Sequence, residues 1–287
     1  ITSSTQGIII PPSHNAIIYA WVAGGGVSVA SLFMAGVVPG VMIGVALLVV
    51  SLIISAKRKY PRERMVSFKE ALKITRDAFL GLVTAVIIIG GILSGIFTPT
   101  ESSAIAVVYA FIITFFVYKE IPLSDFPKLL FDSVKTVAMV MFLIGSSSAF
   151  GYFLAYLRIP AMVTEFMLGL TANRILLLIL VNVMLLLLGM IMDMAPLILI
   201  TTPILLPVVT SIGVDPVHFG IILMLNLGIG LVTPPVGSTL FVGCAIGKIS
   251  IEEVTKTIWP FYIAMISVLI LVTYVPNIAM WLPGLLR

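Results

Sequence analysis

The chain has 287 residues, 60% of them hydrophobic and 10% charged, against about 25% charged in soluble domains. With a mean hydropathy of +1.23 it falls outside the soluble globular classes and reads as an integral membrane protein. The formal net charge of +4 does not indicate nucleic acid, because eight of the 16 basic residues crowd into one short loop, and the single Cys244 excludes an intramolecular disulfide or a multi-cysteine metal site.

Residues 1–56 carry no Asp, Glu, Lys or Arg, and further uncharged stretches cover 78–100, 102–118, 136–157, 175–192, 194–214, 216–247 and 257–286. Most approach or exceed the ~18 to 20 residues a helix needs to cross a bilayer. A β-barrel would show short alternating segments, so the fold class expected is an all-α membrane protein.

In chain order, 1–27 reads as a helix broken at Pro11-Pro12 and ended or bent by Gly24-Gly25-Gly26, and 29–56 as a span carrying Pro39-Gly40. Lys57, Arg58, Lys59, Arg62, Arg64, Lys69, Lys73 and Arg76 follow, a positive-inside loop that places 57–79 in the cytoplasm and suits anionic membrane lipid. Within it, about 66–78 reads as an amphipathic interfacial helix with Phe68, Leu72 and Phe79 on its apolar side. The run 80–118 is too long for one straight span and is divided at Pro99. Lys119 to Lys135 reads as an extramembrane connection, and 136–157 as a span ended by Arg158-Ile159-Pro160. The run 175–214, interrupted only by Asp193 and carrying Pro196, Pro203 and Pro207, is expected to be a re-entrant helical hairpin closed by the turn Gly213-Val214-Asp215-Pro216. A second broken helix takes 218–247 and a last span 257–282. The chain starts in mid-pattern at Ile1 and is expected to be the C-terminal part of a longer protein.

One motif occurs twice. Gly7-Ile8-Ile9-Ile10-Pro11-Pro12 returns as Gly230-Leu231-Val232-Thr233-Pro234-Pro235, followed by Ser28-Val29 in one copy and Ser250-Ile251 in the other at nearly equal spacing. Two prolines remove two N–H donors, so the helix cannot continue. Within a bilayer, freed backbone groups survive only where protein or a water-filled cavity satisfies them. Broken segments at corresponding places in two halves point to a secondary transporter with inverted repeats.

Carbonyl oxygens freed at such breaks suit a hard cation such as Na⁺, and Ser13, Thr233 and Ser238 add hydroxyl oxygens; the plainer reading is a packing kink. Asp193 lies in the apolar hairpin, either capping its second arm or serving as an intramembrane ligand. In Thr98-Pro99-Thr100-Glu101 the threonine and glutamate fit a capping box, with Glu101 as proton carrier the sharper alternative. The apolar segments hold few carboxylates, which favours sodium over proton coupling.

Those two breaks, the Ser31-Leu32-Phe33-Met34-Ala35-Gly36 stretch with Pro39-Gly40, Gly95-Ile96-Phe97-Thr98-Pro99-Thr100-Glu101, Met192-Asp193 and Gly213 to Gly220 together resemble the large membrane subunit of a tripartite ATP-independent periplasmic (TRAP) transporter. The wording around Ile1 to Asn15 and Asp193 to Pro207 is most similar to the sialic-acid branch, with C4-dicarboxylates and other sugar acids as the alternative substrates. The resemblance implies an inverted-repeat elevator transporter of the bacterial inner membrane that imports a small carboxylate with two or more Na⁺. Its implied partners are a small four-helix membrane subunit and a periplasmic substrate-binding protein. Carried onto this chain, one Na⁺ site uses the backbone around Gly7, Ile10 and Pro11, and the other uses Gly189, Gly230 and Thr233, with Ser13, Thr98, Asp193 and Thr233 as candidate substrate contacts. Residues 1–56 then end the first repeat and 80–287 form the second, and the serine-rich hairpin that partners the first ion site precedes Ile1. An enzyme would need a nucleophile with its base or clustered metal ligands, and the sequence offers neither; a channel subunit remains the other alternative.

Overall fold

Proline, glycine and capping side chains set where each helix stops. The computed structural model describes residues 1–60, 66–171 and 173–285, and among these every regular element is helical. Arg62 and Arg64 of the basic loop lie outside the described residues. Among the described residues six helices are long and apolar enough to cross a membrane: Val29–Arg58, Phe68–Leu93, Pro99–Tyr118, Leu123–Tyr156, Met194–Ser211 and Ile251–Tyr274. The chain divides into two compact units, Arg58–Phe142 and the combination of Ile1–Lys57 with Leu143–Arg287.

The larger unit begins with α1 (Ser4–Ile9) and α2 (His14–Val22), separated by the first Pro-Pro. Helix α3 (Val29–Arg58) carries Pro39 in its interior. The second half of the unit repeats this order. Helix α10 (Pro216–Gly230) stops at the second Pro-Pro, α11 (Ser238–Gly247) is short, and α12 (Ile251–Tyr274) carries Pro260. Ser28 Oγ accepts from Ser31 N–H at 3.5 Å before α3, and Ser250 Oγ accepts from Glu253 N–H at 3.3 Å before α12. The repeat therefore extends from sequence wording to helix boundaries and their caps.

Between these halves lie α7 (Ile159–Leu170), α8 (Arg174–Gly189) and α9 (Met194–Ser211), and α13 (Asn277–Gly284) follows α12. The 16 residues of α8 reach about 24 Å at 1.5 Å per residue, short of the ~30 Å hydrocarbon thickness. The expected hairpin is present as α8, a tip at 190–193 and α9, with Asn173 Oδ1 capping α8 at 2.9 Å to Ile175 N. Its two arms part beyond the tip. Helix α8 lies along α10, whereas α9 packs on α7 and α2 as well as α10, and it buries Leu197, Ile198, Leu205, Val208 and Val209.

Helix α10 is the core of this unit. Every residue from Val217 to Gly230 is buried, as an all-round apolar helix requires, and α1, α2, α8, α9, α12 and α13 surround it. Both of its polar side chains make hydrogen bonds, although Asn226 Oδ1 finds no partner among the described residues. Asn226 Nδ2 donates to Asn182 Oδ1 at 2.7 Å and to Ile222 O at 2.8 Å, Asn182 Nδ2 donates to Thr273 Oγ1 at 3.3 Å, and Thr273 Oγ1 donates to Leu269 O at 2.7 Å. His218 Nε2 meets Val272 O at 2.8 Å. Three helices are thereby pinned in register inside an apolar core, where an unpaired amide is costly.

The smaller unit contains α4 (Phe68–Leu93) and α5 (Pro99–Ile112), packed on each other, with a π-helical turn over Ile113–Tyr118 and the first part of α6 (Phe126–Tyr156). Two expectations are corrected here. The amphipathic stretch at about 66–78 is not a separate helix but the first turns of α4, since no proline interrupts it and Ser67 Oγ caps its start by accepting from Glu70 N–H at 3.3 Å. The connection from Lys119 to Lys135 is already helical from Phe126 onward. In both cases a change of polarity was read as a boundary, and polarity alone does not end a helix. Exposed Phe68, Val86, Met139, Phe142 and Tyr152 require apolar surroundings.

Replacing Asn182 by Leu strands one Asn226 N–H in the core. The expected outcome is a loss of about 1–3 kcal/mol, measured as a lowered unfolding temperature of the full-length protein in detergent, with no change in helix content by circular dichroism.

Candidate functional site

At the first break α1 ends on Ile9 and Ile10 is extended, at φ −69° and ψ 131°. Pro11 and Pro12 cannot serve the carbonyls of Gly7 and Ile8, their partners in a continued helix. Ser13 repairs half of this loss: its Oγ donates to Ile8 O at 2.5 Å and accepts from Ala16 N–H at 3.5 Å, capping α2. The Ile10 N–H turns back to Gln6 O at 3.0 Å. Among the described residues no donor serves the Gly7 carbonyl, and Gly7 is exposed. Ser13 itself is buried, and its hydroxyl stitches the break.

The second break is stitched from outside. Leu231 O accepts from Thr239 N–H at 3.2 Å and Leu240 N–H at 3.3 Å, and Val232 O accepts from Tyr262 Oη at 2.6 Å. Thr233 donates its hydroxyl to Ile229 O at 2.6 Å and its N–H to Gly230 O at 2.9 Å. The tip between α8 and α9 docks directly here, with Met190 O accepting from Val236 N–H at 3.0 Å and Gly237 N–H at 3.3 Å. A cavity of about 330 Å³ adjoins this junction, lined by Leu186, Met190, Ile229, Thr233 and Tyr262 among others.

Gly189 and Gly230 make this docking possible. A methyl on Gly189 would sit 3.2 Å from Gly230 Cα, and one on Gly230 would sit 2.6 Å from Gly189 Cα, closer than two carbons approach. These two glycines, assigned to one site on sequence grounds, are brought into contact, with Thr233 one turn beyond.

Asp193 does not cap α9 with its side chain, which corrects the capping reading. Its backbone enters α9 in an extended conformation, and its carboxylate turns across the tip, where Ser238 Oγ donates to Asp193 Oδ1 at 3.3 Å. The carboxylate is thus drawn toward the start of α11 and stays exposed. Thr98 lies in the smaller unit, in a complete capping box: its N–H and Oγ1 each reach Glu101 Oε2 at 2.8 Å, and Glu101 N–H reaches Thr98 Oγ1 at 3.3 Å. Glu101 is committed to that cap.

Asn182, Asn226 and Thr5 were not singled out in the sequence; the first two are lone polar residues in apolar runs, whereas Thr5 lies in the polar stretch Thr2 to Gln6. Thr5 Oγ1 donates to Gly228 O at 3.2 Å, joining α1 to α10.

Residues 1–278 match the family model for the DctM component of the tripartite ATP-independent periplasmic transporter. The chain belongs to this family. It is 42% identical over 99% of its length to the protein YgiK of Salmonella typhimurium, covering 65% of that protein. It is 41% identical to the C4-dicarboxylate TRAP transporter large permease protein DctM of Rhodobacter capsulatus, over 99% of this chain and 68% of the relative. Against the sialic acid TRAP transporter large permease protein SiaM of Vibrio cholerae the identity is 38%, over 97% of this chain and 65% of the relative. The chain thus spans about two thirds of these relatives. As a member of this transporter family, with six helices among its described residues long and apolar enough to cross a bilayer, it is a multi-pass inner-membrane protein.

In this DctM-family chain, Gly230→Ala is expected to pry the tip from the break and cost about 1–3 kcal/mol as overpacking. The check is faster hydrogen exchange at Val236 and Gly237, whose N–H groups bond Met190 O, with exchange in the smaller unit unchanged.

Proposed function

We propose that the full-length protein imports a small carboxylate coupled to two or more Na⁺, by an elevator motion. The periplasmic binding protein delivers the substrate and the small four-helix membrane subunit enlarges the scaffold. In this reading residues 1–56 end the first inverted repeat, 57–79 lie on the cytoplasmic side against anionic lipid, and 80–287 form the second repeat. The observation that carries it is the pair of breaks at matching positions, the first of which leaves the Gly7 carbonyl without a donor among the described residues. Na⁺ is a hard cation that takes oxygen ligands, and such a carbonyl is one, so Gly7, Ile10 and Pro11 frame the first ion site. Gly189, Gly230 and Thr233 frame the second, where an ion would bind by drawing on oxygens that now hold the tip to the break. Asp193, exposed at that tip, is the group that senses charge there.

Charge balance explains the use of sodium. A monoanion carried with two Na⁺ moves one net positive charge inward, which a membrane potential favours by about 2.3 kcal/mol per 100 mV. The cations also neutralise the carboxylate in a site of low dielectric.

N-acetylneuraminate is the first substrate to test, on the wording around the first break and the tip. A C4-dicarboxylate is the second reading, supported by the 41% identity to the Rhodobacter capsulatus permease against 38% to the sialic acid permease. The experiment is uptake of labelled N-acetylneuraminate and succinate into proteoliposomes holding the full-length protein, its small subunit and a binding protein. Uptake that requires an inward Na⁺ gradient and rises with an inside-negative potential is expected for the monoanion; a dianion with two Na⁺ would be indifferent to potential. Uptake independent of Na⁺ would remove the sodium reading. Asp193→Asn is expected to raise the half-saturating Na⁺ concentration several-fold while the protein still inserts.

A further inference from the structure

The two breaks are separated by 223 residues, Gly7 to Gly230, and the same 223 residues separate Thr5 from Gly228. The helices leading into the breaks therefore cross at positions that are equivalents of each other in the repeat. The contact is buried: Thr5 is 0% exposed, and a methyl on Gly228 would meet Thr5 Cγ2 at 3.0 Å.

The crossing also repairs α10. In a continued helix the Gly228 carbonyl would accept from Val232 N–H, but that group turns to Ile229 O at 3.2 Å as the helix ends. The donor that takes its place is Thr5 Oγ1, at 3.2 Å, from the other repeat. Thr5 and Gly228 each lie two residues before the glycine of their own break. A shift of the Gly7 carbonyl toward an ion pulls on the short helix α1, and the buried hydroxyl bond passes that shift to the last turn of α10, where Gly230 meets the tip. Coupling of this kind needs one element that both sites bias, and the crossing joins the helices that lead into both breaks.

We propose that Thr5 is a positioning residue which, through its bond to the Gly228 carbonyl, couples ion binding at one break to ion binding at the other. The inference rests on the sodium reading above. Its test uses Na⁺ itself as the probe and needs no transported substrate: thermal unfolding of the full-length protein with its small subunit, titrated with NaCl against choline chloride at constant ionic strength.

The wild type is expected to be stabilised by Na⁺ with a Hill coefficient above one. Thr5→Val keeps the shape and removes the donor; its half-saturating Na⁺ concentration is expected to rise roughly 5-fold or more, the low end of typical couplings, with the Hill coefficient falling toward one. Thr5→Ser keeps the donor and should retain the wild-type slope. Gly228→Ala should lose it, because the added methyl meets the Thr5 methyl, and the double variant T5S/G228A should recover it by removing that methyl. If Thr5→Val does not fold, the comparison of Gly228→Ala with T5S/G228A decides the matter.

An unchanged slope and midpoint in Thr5→Val, or no recovery in the double variant, would overturn the coupling while leaving the sodium sites standing. A wild type stabilised by Na⁺ with a slope of one would do the same. No stabilisation by Na⁺ in the wild type would remove the sodium reading and the coupling with it.

Discussion

The larger unit is organised by backbone carbonyls that a pair of prolines leaves without donors. In an apolar environment such groups must find partners inside the protein, so each Gly-x-x-x-Pro-Pro fixes more than a kink: it dictates which neighbours must come close. At the first break the repair is local, through Ser13 to Ile8 O. At the second it recruits the start of α11, Tyr262 from α12 and Thr5 from α1. The tip of the α8–α9 pair adds the Met190 carbonyl, which takes the N–H groups of Val236 and Gly237.

This difference bears on function. A break closed by its own serine leaves the Gly7 carbonyl without a donor among the described residues. A break closed by neighbouring segments has its oxygens engaged; under the proposed sodium reading an ion would compete with the contacts that dock the tip. In the proposed carrier, binding and tip position would be one equilibrium: an ion would move the tip only insofar as it prefers one tip position.

The surrounding core supplies the rigidity against which these contacts act. Helix α10 is buried on all sides, and the Asn226, Asn182 and Thr273 chain holds it to α8 and α12. At the tip, beside Met190, the two glycines Gly189 and Gly230 permit backbone contact without side chains between.

Much of this was legible in the sequence. Double prolines, triple glycine, the capping residues Ser250 and Thr98, and the length of the apolar runs act locally, through missing donors, backbone freedom and helix length, so they located the breaks, the spans and the repeat. Boundaries inferred from polarity, at about 79 and 135, were displaced because a helix continues through a change of side-chain character when nothing removes its hydrogen bonds. The destinations of polar side chains were decided only by the tertiary structure. Asp193 faces Ser238 instead of its own helix end, lone Asn182 finds Asn226, and Thr5 finds Gly228 across 223 residues. A buried polar group must be paired, but which partner it meets depends on how distant helices cross, and no local property of the chain carries that information.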